Sequence, residues 1–247
     1  MIELLDKADK YAAGKINEAL DKVIAQAYAD GYRDGYKECQ DHVSVNLRIS
    51  NTEYVDLGLP SGTMWASRNV GATAPEDYGF YYAWGEIQPK DNDKWDTYKW
   101  CNGGANQLTK YCSYAENGYN GFNDNLKVLQ ASDDAATAEW GSGWRMSTHE
   151  EWIELLLNTT TTWTTLNGVP GRRITGANGN SIFLPAAGSW SYGQINFAGE
   201  QGYYWSGSLG ENPTTAWGFY IDSEGFSCNG AYSRYYGYPI RPVHSGK

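Results

Sequence analysis

The chain has 247 residues, enough for one large domain, or a domain with a small appendage, and for a sizeable core. Aromatic residues make up 15%, with 11 Trp and 20 Tyr, against 19% charged residues, and 29 Gly with 8 Pro imply many turns and short strands. The formal net charge is -10 and no Lys/Arg cluster stands out, so nucleic acid and anionic membrane surfaces, which need a positive field, are disfavoured as partners.

The N-terminus, MIELLDKADKYAAGK, carries acidic residues where a signal peptide needs a basic start and an apolar run, and no later apolar stretch is long enough to span a bilayer. Synthesis in the cytoplasm without a cleaved leader, and no membrane insertion, are therefore expected. In residues 2 to about 38, Leu5, Ala8, Ala12, Ile16, Ala19, Val23 and Ala27 step by three or four with Asp, Lys and Glu between them, which predicts an amphipathic helix. The steps recur over eleven rather than seven residues, so a regular left-handed coiled coil is not supported. The stripe of Ala suits close packing against the body or against a second copy. Residues 1–42 are thus expected to be an attachment or homo-oligomerisation segment, and 43–247 the main domain.

From His42 the period changes to two. VSVNLRI, Val43 to Ile49, reads as a half-buried strand, and Tyr54 to Ala66, folding about Pro60-Ser61-Gly62, reads as a hairpin. Residues 88 to 125 show no sustained period and form a long irregular insertion. Asp133 to Trp140 predicts a short helix. A second helix follows, capped by Ser147 or Thr148, with Glu150 and Glu151 at its positive end and Trp152, Ile153, Leu155 and Leu156 on its buried side. SIFLPAAG, GYYWSGS, AWGFYID and YPIRPV then read as short strands.

Catalytic signatures fail one by one. His149-Glu150-Glu151-Trp152 has Ile153 where a zinc helix needs its second His, and Gly141-Ser142-Gly143 lacks the third glycine of a dinucleotide loop. Asp91, Asp93 and Asp96 resemble a calcium loop only until Trp95, which takes a ligand slot, so they read as a solvated turn. Cys39, Cys101, Cys112 and Cys228 contain no C-x-x-C pair; free thiols are favoured over a Cys101–Cys112 bridge. No catalytic residue, metal site or cofactor is assigned.

Gly143-Trp144-Arg145-Met146-Ser147-Thr148, followed by Glu151-Trp152, resembles the W-R-x-P-T-x-x-E-W segment of C-type-lectin-like domains of the formylglycine-generating-enzyme type, with Ser147 where Pro is usual. VDLGLPSGTMWASRNVGATAPEDYGFYYAWGE looks like the start of bacterial paralogous domains of that fold. LPAAG, YYWSGS, AWGFYI and IRPV, in that order, resemble the C-terminal half of diversity-generating-retroelement variable proteins. The blocks span about 50 to 243. The resemblance implies an α+β, C-type-lectin-like fold, with two helices on a small twisted antiparallel sheet and the Arg241-Pro242-Val243 end pairing near the first strand.

It also implies a non-enzymatic binding function. The paired late cysteines of the oxidases are missing beside Cys228, and Glu211-Asn212-Pro213 with Trp217-Gly218-Phe219 departs from the calcium-dependent sugar motifs. Adenine-directed diversification of Asn codons cannot produce Lys, Gln, Glu, Met or Trp, and none of these occurs from Ser227 to Tyr238. By composition, roughly one twelve-residue window in ten would show that absence by chance. Period two puts Trp217, Phe219 and Ile221 inward and Gly218, Tyr220 and Asp222 outward; Ser227, Asn229, Gly230, Ala231, Tyr232, Ser233, Tyr235 and Tyr236 continue the expected ligand-binding surface. Tyr with Ser, Gly and Asn is also the mixture that antibody paratopes use. The implied protein is a phage receptor-binding or tail-tip component on the virion surface that recognises a cell-surface protein or glycan of a target bacterium. A formylglycine-generating-type oxidase and an undiversified adhesive or structural domain are the alternatives.

Overall fold

The computed structural model describes residues 54–89 and 94–244. By internal contacts the chain divides into Met1–Asn51 and Thr52–Lys247, and every described residue belongs to the second unit. The helix expected in residues 2–38, the strand expected at Val43–Ile49, and Asp91 and Asp93 lie outside the described residues. Those described build a β-rich body with two α-helices.

The hairpin read at Tyr54 to Ala66 forms as β1 (Tyr54–Val55) and β2 (Met64–Ala66), paired antiparallel. The insertion is irregular, as expected, with short 3-10 turns at Ala115–Asn117 and Tyr119–Gly121. Helix α1 (Ala135–Trp140) is shorter than the segment read for it because Asp134 caps it, its carboxylate accepting from the Thr137 amide. β3 (Trp144–Met146) leads into α2 (His149–Asn158). Thr148, not Ser147, caps α2: its hydroxyl accepts from the Glu151 amide while the Glu151 carboxylate accepts from the Thr148 amide. Glu151 also takes both guanidinium nitrogens of Arg145, at 2.7 and 2.6 Å. Burial alone would raise the Glu151 pKa, but these bonds outweigh it and hold the carboxyl below its ordinary value.

The second half is richer in strand than expected. β4 (Thr159–Leu166) and β5 (Val169–Gly176) pair along their whole length about Asn167-Gly168, both at positive φ (49° and 87°). Asn-Gly between β-branched runs is the strongest local hairpin signal, and TTTTWTTL supplies the branched side chains. β6 (Ser181–Pro185) completes a sheet of order β4-β5-β6. β7 (Ser189–Ser191) and β8 (Gln194–Asn196) form a ribbon, again on a two-residue turn at positive φ, Tyr192-Gly193. β9 (Gly202–Leu209), β10 (Thr215–Ile221) and β11 (Phe226–Ser233) form a three-stranded antiparallel sheet with β10 central. β12 (Pro242–His244) runs between β2 and β3, which joins the chain's end to the domain's first hairpin. Among the described residues there are thus four small sheets rather than one.

Two apolar clusters support them. Trp65, Trp152, Phe219, Tyr204, Ile174, Leu184 and Val243 meet in one, where the Trp152 and Phe219 rings stack at 4.3 Å. Trp84, Trp205, Tyr82, Tyr111, Tyr238 and Ile240 meet in the other. Two arginines with no exposed surface tie the irregular backbone to this core. Arg241 donates to Asn69 Oδ1, the Ala66 carbonyl and the Phe183 carbonyl at 2.8–3.0 Å, linking the last segment to β2 and β6. Arg234 donates to Tyr98 Oη and to the carbonyls of Tyr111, Pro213 and Lys110, with its guanidinium 4.9 Å from the Trp84 ring centre. Carbonyl dipoles take the place of a counter-ion for both, joined for Arg234 by ring faces. Among the described residues no helix is long and apolar enough to cross a membrane.

Candidate functional site

The sheet β9-β10-β11 has two unlike faces. Along β10, Phe219 and Ile221 are fully buried toward α2, and Trp217 lies flat on His149 with ring centres 4.2 Å apart. His149 Nε2 stands 2.8 Å from the Cys228 carbonyl, which makes Nε2 the protonated nitrogen. The inward side expected for Trp217, Phe219 and Ile221 is therefore the α2 side. On the other face, cross-strand pairing puts Tyr220 opposite Tyr203 and Gly218 opposite both Trp205 and Gly230.

That second face is a continuous run of tyrosine rings. Tyr203 touches Tyr220 (5.1 Å between centroids), Tyr232 (5.5 Å) and Tyr238 (5.1 Å). Tyr238 meets Tyr236, Tyr236 meets Tyr235, and Tyr235 packs edge-on against Trp95 at 5.2 Å. Tyr203, Tyr220, Tyr232, Tyr235 and Tyr236 are half-buried, while Tyr238 is buried beneath them. One end of the run is polar. The Tyr220 hydroxyl donates to Asp222 Oδ2 at 2.7 Å, and Asp222 Oδ1 accepts from the amides of Glu224 and Gly225. The Tyr220 bond, then the two amides, lower the Asp222 pKa against the effect of burial. Burial pushes the Tyr232 hydroxyl up to about 12 and raises those of Tyr203, Tyr220 and Tyr238, so all these phenols are neutral at physiological pH.

The structure distributes the expected surface residues unevenly. Tyr220, Asp222, Ser227, Tyr232, Tyr235 and Tyr236 stand on or beside the tyrosine run, each half-buried. The segment from Ser227 to Ser233 is strand, and the strand carries a bulge: Gly218 pairs with Gly230 but Tyr220 with Ser227, leaving Cys228 and exposed Asn229 together opposite Phe219. Ala231 and Ser233 pair with Trp217 and Thr215, which turns them to the opposite face from Tyr232. Gly218 is a correction to the outward reading. It is buried, because the Tyr232 ring lies over it, within 2.9 Å of where a Cβ would stand. Gly230, half-buried, lies under the same ring.

Tyr203 and Trp95 belong to the run but are absent from the sequence expectation. Tyr203 was accessible to it: in Tyr203-Tyr204-Trp205, period two around buried Tyr204 puts Tyr203 on the open face. Trp95 has no such signal, since it comes from the aperiodic insertion. Burial, then Tyr236, then the exposed Tyr192 of the β7–β8 turn raise the Tyr235 pKa, so Tyr192 also borders the run.

Burial raises the Cys228 thiol pKa, contrary to the activation a reactive cysteine needs. Cys101 and Cys112 are unbridged, their thiols donating to the carbonyls of Trp95 and Tyr114. Among the described residues, no group of three His, Cys, Asp or Glu side chains could hold a metal ion. Comparison of the chain with protein-family models, curated proteins and solved structures finds no match.

Proposed function

We propose that the tyrosine face of the β9–β11 sheet is a non-enzymatic binding surface for a macromolecular partner, carried on a C-type-lectin-like domain. The observation that carries this reading is the uninterrupted run Tyr220–Tyr203–Tyr232–Tyr238–Tyr236–Tyr235, with only Tyr238 buried. Tyr combines large apolar area with a polar tip and few rotatable bonds, so an ordered ring run loses little entropy when a partner settles on it. Tyr220, Tyr232, Tyr235 and Tyr236 act as anchors, and Asp222, Ser227 and Asn229 as polar readers at the rim. Four buried framework residues, Phe219, Ile221, Arg234 and Arg241, hold the backbone while the side chains between them are free to differ.

That division suits a retroelement-diversified variable protein, such as a phage receptor-binding or tail-tip component directed at a bacterial surface protein or glycan. A homo-oligomer built through residues 1–42 would add avidity. Deep sequencing of the 3′ end of the gene in a population, together with the adjoining DNA, tests the reading. Substitutions should concentrate at Tyr220, Asp222, Ser227, Asn229, Tyr232, Tyr235 and Tyr236, with Trp217, Phe219, Ile221, Arg234 and Arg241 invariant, beside a reverse transcriptase and a near-copy template. An even spread of substitutions, or DNA without that template, would sink it.

A further inference from the structure

On the tyrosine face one side chain occupies a seat. Gly218 and Gly230 are direct cross-strand partners, and the ring of Tyr232 lies on the floor they make. A Cβ at Gly230 would fall 2.6 Å from Tyr232 Cζ and 2.8 Å from Cε2; one at Gly218 would fall 2.9 Å from Cδ2. Neither glycine has a positive φ, so the local backbone conformation demands glycine at neither position, although at Gly218 a Cβ would also crowd the Tyr204 carbonyl at 3.1 Å. At Gly230 all three of the nearest atoms belong to Tyr232, so the ring above is what requires glycine there. One side is aromatic as well: Tyr203 and Tyr238, stacked on each other at 5.1 Å, each stand 5.5 Å from Tyr232, at 89° and 79° to its plane. The Tyr232 hydroxyl makes no hydrogen bond among the described residues, and packing alone holds the ring.

We infer that Gly218, Gly230, Tyr203 and Tyr238 form a slot for one flat aromatic ring. In this chain Tyr232 fills the slot itself, and a chain with a small residue at position 232 admits a Tyr or Phe side chain of a partner protein instead. Residue 230 decides whether the slot exists. The inference rests on the proposed binding role for its biological use, but the slot is a physical feature that can be tested without any natural partner. A space floored by backbone and bounded on one side by two near-perpendicular rings gives an incoming arene the edge-to-face contacts it prefers. A slot emptied of its ring stays available to a small arene, as apolar cavities do. The native ring competes at the high effective concentration of a tethered group, so the unaltered protein stays closed to outside rings.

The test is rescue by p-cresol, the Tyr side chain without its backbone. Tyr232→Ala should bind p-cresol saturably, seen by ligand-observed NMR and a cresol-dependent rise in Tm, while the unaltered protein should not. Adding Gly230→Ala to Tyr232→Ala should weaken that binding on the order of tenfold or more, the consequence of overfilling a fitted site. No saturable binding to folded Tyr232→Ala, equal binding to the unaltered protein, or undiminished binding to the double variant overturns the slot. So does preferential binding of methyl glucopyranoside, which would make the seat a sugar site. Should Tyr232→Ala fail to fold, the unaltered protein still decides: the Hα protons of Gly218 should be shifted upfield by the ring above and return toward ordinary values in Gly230→Ala. Unshifted protons, or a shift indifferent to Gly230→Ala, overturn the inference. Failure of any of these leaves the population-sequencing test of the binding surface intact, so the two readings fall separately.

Discussion

Phe219 and Tyr220 are neighbours on one strand and live in different worlds. Phe219 points to α2, is stacked on Trp152 and has no exposed surface; Tyr220 points the other way, is half-buried among other tyrosines and has its hydroxyl at Asp222. The α2 face is stabilised by the surface it removes from water, and a change of one methylene is felt there. The tyrosine face keeps its order with rings that lean on each other and on a glycine floor. Tyr203, Tyr232 and Tyr236 also pack against the second apolar cluster, so the residues that can be exchanged with less disturbance are those outside it, such as Tyr220 and Tyr235. If the proposed binding role holds, this difference between the two faces separates stability from recognition.

The sharpest way to break that separation is Phe219→Ala, expected to cost about 3–5 kcal/mol in chemical denaturation, through lost burial and the cavity left beside Trp152. Next is Arg234→Met, at about 2–4 kcal/mol: Arg234 sits inside the tyrosine-rich segment but belongs to the core, and its loss strands buried carbonyls. A near-neutral result there would place Arg234 with the exchangeable residues instead.

Glu151→Gln should cost about 1–2 kcal/mol by weakening the capping box and the Arg145 pair. Because the Glu151 pKa is lowered on folding, its contribution is complete above the unfolded carboxyl value and is lost as pH falls through the folded one. Urea midpoints measured from neutral to acid pH should therefore converge for the two proteins, and parallel curves would contradict that assignment. The smallest effect belongs to the open face: Tyr220→Phe removes only the bond to Asp222 and should change stability by about 1 kcal/mol or less. A loss as large as that of Phe219→Ala would erase the contrast between the faces.

Several of these features were legible before any coordinates. Ser147-Thr148 followed by Glu150 and Glu151 announced the start of α2, the alternation of Trp217, Phe219 and Ile221 announced the buried side of β10, and Tyr54 to Ala66 announced the first hairpin. Each is a local signal, complete within a few residues, because capping and strand alternation act at short range. The Asn167-Gly168 turn was equally local and implied the β4–β5 hairpin, which the expectations above lack. Beyond those windows the chain's own pattern misleads. The expected surface takes in the consecutive residues Asn229 to Ser233, yet they alternate between the two faces of β11 after the bulge at Cys228-Asn229, and Ala231 and Ser233 turn away from Tyr232.

The residues by themselves determined that this protein would be aromatic, turn-rich and built on short strands, and that its last segment would be poor in aliphatic core-formers. Only the tertiary structure decided what those aromatics do. Arg234 is core because Trp84, Tyr98 and the Lys110–Tyr111 backbone, more than a hundred residues earlier, converge on it. Gly218 is buried because a tyrosine on the adjacent strand lies across it. Both outcomes depend on contacts between segments far apart in the chain, and no local periodicity encodes which distant ring will fill which gap.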